Sequence, residues 1–304
     1  MSTGFVGLGA MGAPMARNLH RAGLLSGVWN RTTDKAQALA AELGVKAAPS
    51  VLALARTSET LVLCVSADHD LLQLIAALAP AMRQGLLIID CSTVSANAAR
   101  AAGRICAARG TGFLDAPVSG GVEGAARGTL AIMVGGTLAD FNRAQPVLLA
   151  MGRTVTHFGP QGAGQSAKAT NQIMVAGIIR AVAEGLAFAA AQGLPLDRTI
   201  ATLSQGAGGS WYLANRGPFM ERRAYPAGFR VRLHEKDLKI CQAMAAAAGA
   251  KLSVVESALS DYAQLIAAGH GDEDISAVFR LTAPLFGTAA TAAAAAPAGA
   301  AADA

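Results

Sequence analysis

The first half of the chain carries short, unbroken apolar runs separated by stretches at helical spacing. Residues 4–7 read as a strand, and residues 11–22 as a helix. "GLLSGVWNR" predicts a second strand ending near Asn30, followed by a helix over residues 34–43. Apolar runs at residues 60–66 and 86–92, within "GFLDAPVSGG", and at residues 128–136 predict further strands. Strands that are apolar throughout and alternate with helices imply a parallel sheet covered on both faces. After about residue 159 the pattern becomes helical. A long helix is expected from about residue 165 toward 192, with no proline before Pro195. More helices follow to about residue 286, broken at "QGAGGS", "RGP" and "YPAGF". The expected organisation is α/β: a doubly wound sheet domain over residues 1–160, an all-helical domain over 161–287, and an Ala-rich low-complexity tail over 288–304.

Composition narrows the class without naming a function. The 304 residues are 53% hydrophobic and 15% charged, which predicts folded domains and not disorder. The net charge of +5 comes from scattered Lys and Arg with no dense basic run, so an anionic small molecule explains it better than nucleic acid. Cys64, Cys91, Cys106 and Cys241 lack C-x-x-C spacing and are expected as buried free thiols of a reducing compartment. No leader is expected before the first strand. The uncharged stretch after Arg280 is long but only weakly hydrophobic. A soluble, cytoplasmic protein without a membrane partner is expected.

Gly7, Gly9 and Gly12 in "GFVGLGAMGAP" have the spacing G-x-G-x-x-G between a strand and a helix. In that context Gly7 permits a tight turn, Gly9 lets a pyrophosphate approach the backbone, and Gly12 lets the helix pack on the strand. The helix N-terminus then faces the diphosphate. The N-terminal domain is therefore expected to be a Rossmann-type dinucleotide-binding fold. Near the end of the second strand, where a carboxylate would select NAD, stand Asn30, Arg31 and Thr32. A guanidinium there suits the 2′-phosphate of NADP, with NAD as the alternative.

Three other stretches carry chemistry. In "DAPVSGG", Ser119 with the N–H groups of Gly120 and Gly121 forms a small nest suited to a carboxylate. In "GAGQSAKATNQ", Lys168 lies near a helix N-terminus, with Asn171 and Gln172 three and four residues on and so on one face. The positive end of the dipole disfavours the charged amine, as suits a group that exchanges a proton. In "HEKDLKI", Lys236 and Asp237 read as an exposed pair at a helix start. The histidines show no ligand-spaced cluster, and no metal is expected.

Taken in order, GLGAMG, DAPVSGG, GAGQSAK-x-x-N and F-x-V-x-L-x-x-KDL resemble the β-hydroxyacid dehydrogenase family over nearly the whole chain, residues 4–286. The resemblance implies a Rossmann domain followed by an all-α domain, assembled as a homodimer or homotetramer. It implies hydride transfer between NAD(P) and a small 3-hydroxy carboxylic acid, 3-hydroxyisobutyrate-like, or its semialdehyde. Lys168 falls on the catalytic lysine, and Ser119, Gly120 and Gly121 on the substrate-carboxylate loop. Thr93 falls near the nicotinamide, and Lys236 on a lysine that closes over the cofactor. Leu8, Ala10 and Met11 of the glycine turn, and Val65 at the end of a strand, fall at the cofactor. Where the family often has a second asparagine, this chain has Gln172, so the reach of the substrate-binding amide differs. "GGVEGAARGTLAIMVGG" resembles the 3-hydroxyisobutyrate branch, whereas "SQGAGGSW", ending at Trp211, resembles threonate-type members. The alternatives are an imine reductase-like enzyme, whose members generally lack this lysine, and a non-catalytic NADP-binding module.

Overall fold

A computed structural model describes residues 2–286 of the chain. The chain divides into two compact units, Met1–Thr170 and the residues from Asn171 onward. The division falls within a helix, ten residues beyond the glycine-rich turn where the sequence placed it. The Ala-rich tail lies outside the described residues.

The first unit opens with β1 (Thr3–Val6), α1 (Gly12–Arg21), β2 (Leu25–Trp29), α2 (Thr33–Leu43), β3 (Lys46–Ala47) and α3 (Val51–Thr57). It continues through β4 (Thr60–Leu63), α4 (Asp68–Leu78), β5 (Leu87–Asp90), α5 (Ala96–Ala107) and β6 (Gly112–Asp115). These six strands lie in the order β3-β2-β1-β4-β5-β6, and every neighbouring pair is parallel. The order reverses between β1 and β4, the place where open α/β sheets bind their ligands. β7 (Val118–Ser119), α6 (Gly121–Arg127), β8 (Leu130–Gly135), α7 (Leu138–Met151) and β9 (Gly152–Gly159) extend the sheet beyond β6. There β8 runs antiparallel to β6 and β7 and parallel to β9.

The apolar runs explain the layers. Successive strand residues point to opposite faces, and here both faces are buried. On one face lie Phe5, Val62, Leu87, Ile89 and Leu114; on the other lie Val6, Leu61, Leu63, Ile88 and Phe113. β9 was not expected from the sequence. Its residues are mostly exposed or half-buried, so "GRTVTHFG" lacks the apolar run that marks the other strands.

α8 (Ala163–Ala191) begins in the first unit and runs unbroken into the second. Half of its most apolar window is buried, and by length and composition it could cross a membrane. The second unit adds α9 (Leu196–Leu203), α10 (Trp211–Glu221), α11 (Val231–Ala247), α12 (Ser253–Ala267) and the short α13 (Phe279–Thr282). Ser210 caps α10 by accepting from Leu213 N. The break at "YPAGF" is held by Asp274, which accepts from Phe229 N at 2.9 Å and pairs with the buried Arg216 at 3.2 Å.

Candidate functional site

The glycine turn sits at the reversal of strand order, between β1 and α1. Gly7 has φ +93°, and a Cβ on it would collide with the Cys64 carbonyl. A Cβ on Gly12 would collide with the Gly7 carbonyl and crowd the Phe5 ring. Gly9 is different: nothing lies within 4 Å of the place its Cβ would occupy. Two glycines are thus required by the packing of the turn, and the third leaves bare backbone facing open space. α1 has no side-chain cap and no acidic residue in its first turn. Its first N–H groups and its positive dipole end are not answered by a protein carboxylate. This cradle fits a dinucleotide pyrophosphate.

Asn30 holds the turn from β2. Its Oδ1 accepts from Leu8 N at 2.9 Å, and its Nδ2 donates to the Thr32 carbonyl at 3.0 Å. Both ends of this amide are used inside the fold. Arg31, next along, has an 85% exposed side chain and a loose ion pair to Asp70 at 3.3 Å. Exposure and length let it follow an incoming anion.

The ends of β4 and β5 are tied to the start of α8. Val65 N donates to Ser92 Oγ at 2.8 Å. Gln165, buried on α8, donates through Nε2 to the Ser92 carbonyl at 2.8 Å and accepts through Oε1 from Val94 N at 3.2 Å. Thr93 is the residue between the two that Gln165 grips. Lys168 lies three residues beyond Gln165, on the same side of the helix, and is only 7% exposed. Val65 is thus bonded to the residue before Thr93, and Lys168 stands one helical turn along α8 from the glutamine that holds both neighbours of Thr93.

Asp115, at the end of β6, secures the helix start itself. One carboxylate oxygen accepts from Gly162 N at 2.7 Å and the other from Gln165 N at 2.9 Å. Burial pushes the Asp115 carboxyl above its ordinary value, and the N–H groups pull only part of it back. Four residues on, Ser119 is half-buried in β7, paired with Ala131 of β8. Gly120 and Gly121 follow with φ +130° and +65°. Side-chain-bearing residues rarely adopt φ values in this range, so both positions call for glycine.

Asn171, Gln172 and Lys236 belong to the second unit. There Gln172 is buried, and its amide donates to Asp237 Oδ2 at 2.7 Å. Asp237 Oδ1 lies 3.0 Å from Lys236 Nζ. The expectation of an exposed Lys236–Asp237 pair is corrected here: Asp237 is buried on α11 and Lys236 is only half-buried. The reason is tertiary, because α11 turns this side toward Gln172 of α8. His234, on the same helix, is fully buried between the Tyr262 hydroxyl at 2.8 Å and the Gln172 carbonyl at 3.2 Å.

Sequence reasoning missed Asp115, Ser92, Gln165, Asp237, His234 and Tyr262. All but Tyr262 lie in or beside the quoted motifs, but their partners are up to 73 residues away in sequence. Cys91, Cys106 and Cys241 are buried and outside any disulfide, as expected, whereas Cys64 is only half-buried. Burial pushes the Cys106 thiol up to about 12. Among the described residues no group of three or more His, Cys, Asp or Glu could hold a metal ion.

Comparison with known proteins agrees with this layout. Residues 2–159 match the NAD binding domain of 6-phosphogluconate dehydrogenase, and residues 162–282 match the NAD-binding domain of NADP-dependent 3-hydroxyisobutyrate dehydrogenase. The chain is 36% identical over 299 residues to the NAD-dependent L-serine dehydrogenase of Pseudomonas aeruginosa, covering 93% of this chain and 98% of that one. It is 38% identical over 253 residues to the 3-hydroxyisobutyrate dehydrogenase of the same organism, covering 80% and 85%. The structure of Mycobacterium tuberculosis 3-hydroxyisobutyrate dehydrogenase with L-serine superposes with a TM-score of 0.83 at 33% identity, covering 92% and 98%. With both units matched and relatives this similar along most of their length, the chain belongs to the β-hydroxyacid dehydrogenase family and is an NAD(P)-dependent oxidoreductase acting on CH–OH groups.

Proposed function

We propose that the chain reversibly oxidises a small 3-hydroxy carboxylic acid to its semialdehyde, using NADP in preference to NAD. Two of the substrates named among its relatives, 3-hydroxyisobutyrate and L-serine, are both 3-hydroxy carboxylates. When bound, the nicotinamide supplies the hydride acceptor or donor, and that chemistry is the cofactor's own. Gly7, Gly9 and Gly12, with Leu8, Ala10 and Met11 between them, cradle the diphosphate, and Asn30 holds that turn in shape. Arg31, beside Thr32, meets the 2′-phosphate. Ser119, Gly120 and Gly121 fix the carboxylate, Val65 and Thr93 border the nicotinamide, and Lys236 closes on the cofactor. Lys168 takes the hydroxyl proton in oxidation and returns it in reduction, with Asn171 and Gln172 on the substrate side. The rate comes from positioning and from the charge offered to the developing alkoxide.

The observation that carries this reading is Lys168: a buried amine on a helix start that Gln165 and Asp115 fix against the ends of β5 and β6. Its amine favours this reading over an imine reductase-like activity. We further propose a soluble, cytoplasmic protein that assembles as a homodimer or homotetramer. On α8, Met174 and Phe188 are 63% and 54% exposed, with Ile178 between them on the same side, and an assembly would cover this apolar stripe. The reading is tested by following nicotinamide absorbance with 3-hydroxyisobutyrate, L-serine and D-glycerate. Turnover of at least one acid, faster with NADP than NAD at equal concentration, is expected. Tight NADP binding with no turnover of any acid would replace it with the non-catalytic module.

A further inference from the structure

Four polar side chains form one unbroken chain in the second unit. Lys236 Nζ lies 3.0 Å from Asp237 Oδ1; Asp237 Oδ2 accepts from Gln172 Nε2 at 2.7 Å; Gln172 Oε1 accepts from Asn171 Nδ2 at 2.8 Å. The middle members, Asp237 and Gln172, are buried, and the two ends are half-buried. The backbone at Gln172 is held as well, by His234. A carbonyl can only accept, so Nε2 carries the proton, and in the neutral ring Nδ1 accepts from the Tyr262 hydroxyl. Gln172 is therefore pinned at its backbone and at both ends of its amide. A carboxylate with one oxygen on an ammonium and the other on an amide transmits a change at one partner to the other, because buried hydrogen bonds polarise their neighbours.

We infer that Asp237 is a positioning residue that couples Lys236 to Asn171 through Gln172. In this arrangement Gln172 is the link and Asn171 is the amide that meets substrate. The inference rests on the roles proposed above for Lys236 and Asn171. It also gives the glutamine a reason: an asparagine at position 172 is one methylene shorter and does not reach Asp237.

The test uses Asp237→Asn, Gln172→Asn and their combination in the full chain. In kcat/KM for the acid, each single variant loses about tenfold, mostly through KM, and the double variant also loses about tenfold, since both changes cut one link. A loss near the product, about a hundredfold, means independent sites and overturns the inference. Pairing Gln172→Asn with Asp237→Glu restores the combined reach and recovers at least about threefold of the loss; no recovery counts against the link.

The same cycle read on NADP dissociation needs no turnover. Gln172→Asn leaves Lys236 and Asp237 themselves unchanged, yet weakens NADP by about threefold, and adding Asp237→Asn to it weakens NADP no further than Asp237→Asn alone. Unchanged NADP affinity in Gln172→Asn overturns the coupling. Absence of acid turnover in the wild type overturns only the proposed substrate class. Far-ultraviolet circular dichroism of each variant establishes that the comparison is between folded proteins.

Discussion

Gly9 and Gly12 are chemically identical and have opposite surroundings. A methyl at position 12 meets the Gly7 carbonyl and the Phe5 ring, whereas one at position 9 meets nothing within 4 Å. Gly12→Ala is therefore expected to cost about 1–3 kcal/mol of stability through overpacking. Gly9→Ala is expected to stay within about 0.5 kcal/mol of wild type in urea unfolding, while NADP affinity drops at least about tenfold because the methyl occupies the approach to the backbone. A large stability loss in Gly9→Ala with intact NADP binding would mean the turn serves packing alone. At Arg31, replacement by Asp sets a carboxylate where the 2′-phosphate is proposed to lie. NADP affinity should fall by at least about tenfold while NAD affinity holds or rises; equal losses for both would place Arg31 away from the phosphate. At this scale the sequence was informative wherever a residue's role is local. The glycine spacing specified its own turn. Asp237, Ser92 and Gln165 were not legible, because each becomes a clamp only when a partner 65 to 73 residues away folds against it.

α8 is the element on which the site depends, and Asp115 is what fixes where it starts. Its carboxylate spans Gly162 N and Gln165 N, two N–H groups that otherwise have no helical partner. Burial raises this carboxyl above its unfolded value, which is about 3.9. The protonated form is favoured more in the fold than in the unfolded chain, so this contribution to stability is full below the unfolded value and is lost as pH rises through the folded one. In urea unfolding, the stability of wild type relative to Asp115→Asn should fall as pH rises across the acid range. A difference that is flat or grows with pH would mean burial does not dominate at this carboxyl. The helix itself was visible in the sequence from its long proline-free run. β9 was not, because its side chains alternate Arg, Thr, Val, Thr, His and Phe at a weakly buried position. A reading that keys on continuous apolar runs finds strands with two buried faces and passes over such a strand.

For the molecule as a whole, the order of elements was legible because each β-α unit signals itself, and the reversal of strand order follows from the doubly wound pattern. α8 is the element that runs across the division of the chain without a break. A protein that binds NADP only when folded gains stability from it, by about 2.7 kcal/mol at a hundred times the dissociation constant. Thermal unfolding should therefore shift upward with NADP and less with NAD at equal concentration. Light scattering coupled to size-exclusion chromatography should return at least twice the mass of one chain, and Met174→Glu should lower it. A monomer in the wild type would leave the apolar stripe of α8 without the proposed partner.

The most direct test of the account is Lys168→Met, which keeps the aliphatic stem and removes the amine. The predicted result is a loss of turnover of about 10²–10⁴-fold, with NADP affinity and unfolding midpoint near those of wild type. Turnover close to wild type in that variant would contradict it, because the proton would then travel through some other group.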